Sequence, residues 1–143
     1  MPTRTAHTTW NGGLQAGTGT VTLVSSGIGS YEVSFPKRAA ENADGTTSPE
    51  ELIAAAHSAC FAMQFSALLD AAGGSGQALD VSADVTLGPD PAGGFRISGI
   101  TLTVGGSAEG VSAEDFARIA QEAKSACPVS KALAGTDISL TVR

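Results

Sequence analysis

The chain has 143 residues, which is enough for one domain with its own hydrophobic core. Its formal charge of −6 offers no basic cluster to neutralise phosphates, so the composition argues against nucleic acid and anionic membrane surfaces as partners. Two cysteines and an N-terminal segment without an apolar stretch predict a cytoplasmic protein with reduced thiols and no signal peptide.

The first part of the chain is predicted to form short strands. The segments TTWNGG, GTGTVTLVSS and YEVSF are rich in threonine and valine and are bounded by glycines. The following segment, FPKRAAENADGTT, is predicted to be a loop that carries basic residues.

A long helix is predicted over residues 49–72. Ser48 is a natural N-cap, Glu51 stands in the capping-box position, and Gly73 ends the helix. The stretch from Leu52 to Leu69 has no formal charge, and by length it could span a membrane. Polar residues interrupt it and strand-like segments surround it, which favours a soluble helix buried on nearly all sides.

The second half of the chain predicts two strands, two helices and a last strand. DVSADVTLG alternates in polarity, and FRISGITLTV shifts its apolar phase near Gly99, which predicts a bulge. VSAEDFARIAQEAKSAC is a helix capped by Ser112, and Pro128 opens a shorter one. DISLTVR alternates as a strand. Because helices and strands do not strictly alternate, the expected fold is α+β with antiparallel sheets, in a single domain over 1–143.

Two cysteines carry the candidate chemistry. Cys60 alone, in an apolar helix, is typical of an inert buried thiol. Cys127 precedes a proline, so it leaves the helical region and becomes the N-cap of the next helix, where the dipole favours a thiolate. The 67 positions between the cysteines do not match a zinc motif, and the two histidines have no ligand spacing.

Glu50 lies ten residues before Cys60 on the predicted helix and has no capping duty of its own. Ten helical residues rise ~15 Å, so Glu50 cannot touch Cys60 of the same chain if the helix is regular. Either the helix breaks, or Glu50 serves the cysteine of a neighbouring subunit. A long apolar helix also needs more apolar surface packed against it than six short strands of one small chain easily provide. This need and the separation of Glu50 from Cys60 together predict an obligate dimer with sites at the interface.

His57 and Cys60 raise an alternative, because a Cys–His pair is typical of a hydrolase or an acyl transferase. Side chains three apart on one helix run side by side, however, and no third member is evident. The pattern favours His57 as a packed, hydrogen-bonded helix residue. A non-catalytic redox sensor that uses both cysteines is a further alternative.

The segments SPEELIAAAHSACFAM and AKSACPVSKAL, together with FPKR and the early W-N-G, closely resemble the OsmC branch of the OsmC/Ohr family of thiol peroxidases. The resemblance runs over essentially the whole chain. It implies an OsmC-like fold in which antiparallel sheets wrap long central helices in an intertwined homodimer. It also implies reduction of hydroperoxides, preferentially organic ones, without metal, haem or flavin.

The resemblance extends to individual residues. Cys60 matches the peroxidatic cysteine, and Cys127 matches the resolving cysteine with which it forms an intramolecular disulfide. Arg38 and Glu50 match the pair that activates the peroxidatic thiol. The implied reductant of the disulfide is an external dithiol of the lipoyl type.

The helix around Cys60 also suggests a substrate preference. It carries apolar side chains that we expect to contribute to the mouth of the site: Phe61, Met63, Phe65 and Leu68. An apolar mouth favours organic hydroperoxides over hydrogen peroxide, because only the organic molecules bury apolar surface there.

Overall fold

A computed structural model describes all residues, 1–143, and contains six strands and four helices. The chain divides into two compact units, Met1–Leu52 and Ile53–Arg143. The α+β class is confirmed, because each unit combines helical segments with its own three-stranded sheet. The single domain over 1–143 stays a prediction.

The sheet of the first unit is antiparallel, in the order β1-β2-β3. Its strands are β1 (His7–Asn11), β2 (Thr18–Thr22) and β3 (Ser30–Val33), as the sequence predicted. Trp10 pairs with Gly19 across β1 and β2. A Cβ atom built on Gly19 would lie 2.8 Å from the Trp10 ring, so only glycine leaves room for the indole at this position.

The segment predicted as a basic loop instead begins with a one-turn helix, α1 (Phe35–Arg38). The Ser34 side chain accepts a hydrogen bond from the Lys37 backbone N–H, and a proline occupies the first turn. This capped turn fixes the backbone that carries Arg38.

The long helix α2 runs from Pro49 to Ala71, within one residue of its predicted end. Ser48 accepts the Glu51 backbone N–H at 3.1 Å, but the Glu51 carboxylate accepts from the Thr47 hydroxyl instead of completing a capping box. Gly73 has a φ of +83°, and the Gly74 N–H bonds the Leu69 carbonyl, which closes the C-terminus.

The expectation that α2 is buried on nearly all sides is wrong for the single chain. Within the second unit the wholly buried side chains recur every fourth residue, at His57, Phe61, Phe65 and Leu69. The other faces are half-buried or exposed, and Met63 is 73% exposed. By length and composition alone α2 could cross a membrane, and 22% of its most apolar 18-residue stretch is buried in the structure. Only one stripe of this apolar helix is therefore fully buried, and the rest of its surface is half-buried or exposed.

The second unit contains a long hairpin and a crossover. Strand β4 (Ser75–Pro89) pairs antiparallel with β5 (Phe95–Glu109), with a register shift opposite Ile97–Gly99 that confirms the predicted bulge. Helices α3 (Ala113–Ala126) and α4 (Pro128–Ala132) then lead to β6 (Ile138–Val142). Strand β6 pairs parallel with β5, not antiparallel as expected, because a helical crossover joins the two strands.

The core of the second unit fixes α2 against α3 and the sheet. Phe65 packs edge-on against Phe116 with ring centroids 4.8 Å apart, and Leu102 and Val104 of β5 belong to the same buried cluster. Cys127 is part of this cluster, and Cys60 packs against it. The core thus brings the two cysteine-bearing segments together.

Candidate active site

The structure joins Arg38 and Glu50 in the first unit. Arg38 Nη2 donates to Glu50 Oε1 at 2.6 Å, and Nε lies 3.1 Å from both carboxylate oxygens. The Glu50 side chain is 9% exposed and that of Arg38 is 32% exposed. This forked contact fixes the guanidinium plane and leaves part of Arg38 accessible.

The electrostatics of this pair follow from its geometry. Burial raises the pKa of Glu50, but the hydrogen bond from Arg38, a backbone hydrogen bond and the Arg38 charge together bring it below its ordinary value. The hydrogen bond to Glu50 likewise raises the pKa of Arg38. Both groups are therefore charged at neutral pH.

An apolar cavity of about 290 Å³ lies beside Arg38. The guanidinium is the only charged group among its lining residues, and the other side chains are Trp10, Leu14, Val33, Ser34, Phe35 and Pro49. Sequence analysis did not find this cavity. The sequence contains no local pattern that predicts the cavity, because its walls come from β1, the following turn, β3 and α1, which only the fold brings together.

Cys60 and Cys127 are both free thiols in the second unit. Cys60 is half-buried on α2, whereas Cys127 is fully buried. Cys127 is the N-cap of α4, as predicted, with φ −57° and ψ 123°. Its sulfur makes no capping hydrogen bond of normal geometry to that helix.

The two thiols have opposite pKa shifts. Burial raises the pKa of Cys60; the Val129 backbone lowers it, the Cys127 thiol raises it further, and the net shift is upward. Burial also raises the pKa of Cys127, but the Ser130 backbone, the Cys60 thiol, the Ser130 hydroxyl and the Val129 backbone lower it below its ordinary value. In the single chain Cys127 is therefore the more acidic thiol.

His57 is fully buried and does not act as a base for Cys60. Its Nε2 lies 2.7 Å from Ser130 Oγ, and its Nδ1 has no hydrogen-bond partner. Burial lowers the pKa of His57, so the ring is neutral. The prediction of a packed, hydrogen-bonded histidine is confirmed, and the geometry gives no support to a Cys–His hydrolase.

Sequence analysis missed Ser130. It is buried, it bonds His57, and its hydroxyl acts on Cys127. The available signal is its position three residues after Cys127, at the third residue of the helix that Pro128 opens. Side chains in the first turn of a helix lie close to the N-cap residue.

The comparisons with known proteins agree with this architecture. A family model described as OsmC-like protein matches residues 42–143. The chain is 41% identical over 124 residues to peroxiredoxin OsmC of Escherichia coli strain K12, covering 87% of this chain and 85% of that protein. The chain belongs to the OsmC-like family. Glu50, Cys60 and Cys127 lie inside the matched range, and Arg38 lies just before it.

Two further relatives place this OsmC-like chain among proteins named for organic hydroperoxide resistance. OhrA of Bacillus subtilis strain 168 is 37% identical over 107 residues, 72% of each chain. The crystal structure of OhrB of Bacillus subtilis superposes with a TM-score of 0.74 at 28% identity, covering 97% of this chain and 98% of that one. The OsmC-like fold expected from the sequence is thereby confirmed.

Proposed function

We propose that this OsmC-like chain is a cysteine-based peroxidase that reduces organic hydroperoxides, with Cys60 as the peroxidatic and Cys127 as the resolving residue. Relatives named peroxiredoxin OsmC and organic hydroperoxide resistance protein support the activity. The observation that carries the residue roles is the pairing of a half-buried free thiol with a fully buried one in the same core.

The reaction follows from thiol chemistry. The Cys60 thiolate attacks the terminal oxygen of the hydroperoxide, the S–O bond forms, the O–O bond breaks, and the alkoxide takes a proton to leave as an alcohol. Cys60 is then a sulfenic acid. Cys127 attacks that sulfur, which gives a disulfide and releases water. An external dithiol reduces the disulfide by exchange.

Accessibility decides which cysteine meets the peroxide. Cys127 is the more acidic thiol in the single chain, but its residue is 0% exposed. Cys60 is half-buried and is therefore the more accessible of the two cysteines. Its raised pKa means that Cys60 needs a positive group to form its thiolate. The Arg38 guanidinium has that positive charge, and its forked contact with Glu50 fixes its direction.

We further propose that a homodimer brings these groups together, with Arg38 and Glu50 of one chain serving Cys60 of the other. Helix α2 is continuous, so the ten residues from Glu50 to Cys60 correspond to ~15 Å of rise. The open apolar surface of α2, with Met63 73% exposed, is the kind of surface that a second copy would cover.

Two of the four apolar residues expected at the mouth of the site lie in the core. Phe61 and Phe65 are 0% exposed core residues and cannot line a mouth. The apolar cavity beside Arg38 provides the alternative binding surface. Burying about 60 Å² more of an alkyl or aryl group contributes ~1.5 kcal/mol, roughly tenfold in kcat/KM over hydrogen peroxide if the contact is kept in the transition state.

The reductant and the compartment are also part of the proposal. We expect a dithiol of the lipoyl type to reduce the disulfide, as the family resemblance implies. We expect the cytoplasm as the compartment, since two free cysteines suit a reducing environment.

The test is trapping of the intermediate in Cys127→Ser. One equivalent of cumene hydroperoxide should oxidise Cys60 once, and dimedone should then label that residue in peptide mass spectra. Wild-type protein should instead give the Cys60–Cys127 disulfide, and turn over with dihydrolipoamide. Fast peroxide consumption without either product would refute the assigned roles.

A further inference from the structure

A buried hydrogen bond links the two helices that carry the cysteines. His57 lies on α2, three residues before Cys60, and Ser130 lies on α4, three residues after Cys127. His57 Nε2 and Ser130 Oγ are 2.7 Å apart, with the two residues 0% and 7% exposed. Neither side chain has a role in the reaction steps proposed above for Cys60 and Cys127.

The direction of this hydrogen bond follows from the protons available. Ser130 is the third residue of helix α4, whose N-cap is Cys127, so its hydroxyl lies near the Cys127 sulfur. The hydroxyl has one proton, and directed toward the sulfur that proton favours the thiolate form of Cys127. The Ser130 oxygen must then accept from His57, which places the imidazole proton on Nε2. Nδ1 is left as a lone-pair acceptor.

The unpartnered atom agrees with this assignment. His57 Nδ1 is the buried side-chain nitrogen that has no hydrogen-bond partner. A buried donor without a partner is rarer and more costly than a buried acceptor, so the Nε2–H tautomer is favoured. Burial keeps the ring neutral, so it holds one proton and that proton is committed to Ser130.

We propose that His57 and Ser130 are positioning residues for Cys127, which orient the Ser130 hydroxyl so that it holds the sulfur as a thiolate ready to attack oxidised Cys60. This inference rests on the proposed function, because it assigns Cys127 the resolving step.

The step balances with the groups present. The Cys127 thiolate forms the S–S bond at the Cys60 sulfenic sulfur while the S–O bond breaks, and the departing hydroxide takes a proton from solvent to become water. The proton on Ser130 stays on its oxygen. Once the sulfur is in a disulfide, its negative charge is gone and the hydroxyl stabilises it less.

The ionisable surroundings of Cys127 are few. Cys60 acts on it from α2, and α4 contributes the Ser130 and Val129 backbone and the Ser130 hydroxyl. Lys124 of α3 and Lys131 of α4 line a surface groove that reaches Ser130. Because Cys60 is a sulfenic acid when Cys127 attacks it, the pH profile of disulfide formation reports the ionisation of Cys127.

The experiment measures the rate of Cys60–Cys127 disulfide formation against pH, after one equivalent of cumene hydroperoxide, by rapid acid quench and mass spectrometry. Ser130→Ala and His57→Leu remove the hydrogen bond between His57 and Ser130, which we call the relay. His57→Gln and Ser130→Thr keep a donor and a hydroxyl. Ser125→Ala is the matched control, because Ser125 borders the same groove but bonds the Gln121 carbonyl of its own helix.

Ser130→Ala and His57→Leu should move the midpoint of the profile upward by about one pH unit, which makes disulfide formation about tenfold slower below the midpoint. His57→Gln and Ser130→Thr should restore most of the wild-type midpoint. Ser125→Ala should match wild type. In every variant the Cys60 thiol should be oxidised by the peroxide at the wild-type rate, because the first oxidation does not use the His57–Ser130 hydrogen bond.

An unchanged midpoint in Ser130→Ala or His57→Leu would overturn the inference, and so would an equal slowing at every pH, which indicates only a structural tie between α2 and α4. If Ser130→Ala or His57→Leu fails to fold, the conservative variants His57→Gln and Ser130→Thr provide the test. A wild-type midpoint of the pH profile in these variants supports the relay. A midpoint raised as far as in the relay-removing variant that does fold refutes it. Failure of wild-type protein to form the disulfide would instead refute the proposed function.

Discussion

The two pairs of candidate catalytic residues differ in kind. Arg38 and Glu50 form a charged, geometrically fixed pair that is partly open to solvent. Cys60 and Cys127 form a pair of thiols at an apolar core: Cys127 belongs to the core cluster and Cys60 packs against it. The Arg38–Glu50 pair contains no nucleophile, and the Cys60–Cys127 pair contains no cation. We infer that a working site needs both pairs.

The largest effect is expected at the nucleophile. Cys60→Ser should reduce peroxidase activity to the uncatalysed rate, because a serine hydroxyl does not attack the O–O bond. Steady-state consumption of cumene hydroperoxide with dihydrolipoamide measures this. Ser58→Ala, on the same helix, is the control and should remain active, since its hydroxyl bonds only the Ala55 carbonyl. Turnover retained by Cys60→Ser would assign the chemistry elsewhere.

The next effect concerns the charged pair. Arg38→Ala should lower kcat/KM about 100-fold, the usual cost of removing one transition-state donor. Arg38→Lys should lower it about tenfold, because an ammonium keeps the charge but not the fork to Glu50. Lys37→Ala is the control; it removes a neighbouring cation whose partner is Asp44. If Lys37→Ala lowered kcat/KM as much as Arg38→Ala, Arg38 would contribute only one more positive charge near the site and not a specific, oriented donor.

Glu50 also makes a pH-dependent contribution to stability. Its pKa is lowered on folding, so its stabilisation is present above the ordinary glutamate value of about 4.5 and is lost as the pH falls through the lower folded value. At neutral pH Glu50→Gln should lower the free energy of unfolding by about 1 kcal/mol. Urea unfolding at neutral pH and near pH 3 measures the difference, which should shrink in acid.

The control for this measurement is Glu51→Gln, which changes the adjacent carboxylate that bonds Thr47 on the exposed side. It should change the free energy of unfolding by less than about 0.5 kcal/mol. A Glu50→Gln difference that stays constant down to acid pH would mean that the forked pair does not depend on the ionised carboxylate.

The smallest effect concerns substrate choice. Leu14→Ala removes apolar wall from the cavity beside Arg38. About 30 Å² of lost contact corresponds to ~0.7 kcal/mol, or roughly threefold in kcat/KM for cumene hydroperoxide, with no change for hydrogen peroxide. Leu14 is 59% exposed, so the substitution should not disturb folding. An equal change for both peroxides would exclude this cavity as the site of selectivity.

Much of the architecture could be predicted from local signals. The caps at Ser48 and Ser112, the glycine after the long helix and the phase shift near Gly99 each predict a local feature that the structure confirms. Local patterns could not show that β6 lies parallel to β5, because pairing direction depends on where a crossover returns the chain.

The site was predicted less completely. The cysteines and Glu50 stand in long motifs, but the cavity walls come from separate strands and turns. Phe61 and Phe65 were misassigned, because an apolar helix without charges does not show which of its faces meets the core. The His57–Ser130 contact joins residues 73 positions apart, which no periodicity can reveal.

The most direct test of the division between the two pairs is complementation. Glu50→Ala and Cys60→Ser chains, each inactive alone, are refolded together and the heterodimer is purified with two different tags. If Arg38 and Glu50 of one chain activate Cys60 of the other, the heterodimer contains one complete site and should regain about half of the wild-type activity per dimer. A purified heterodimer that remains inactive would show that each chain must supply both pairs itself.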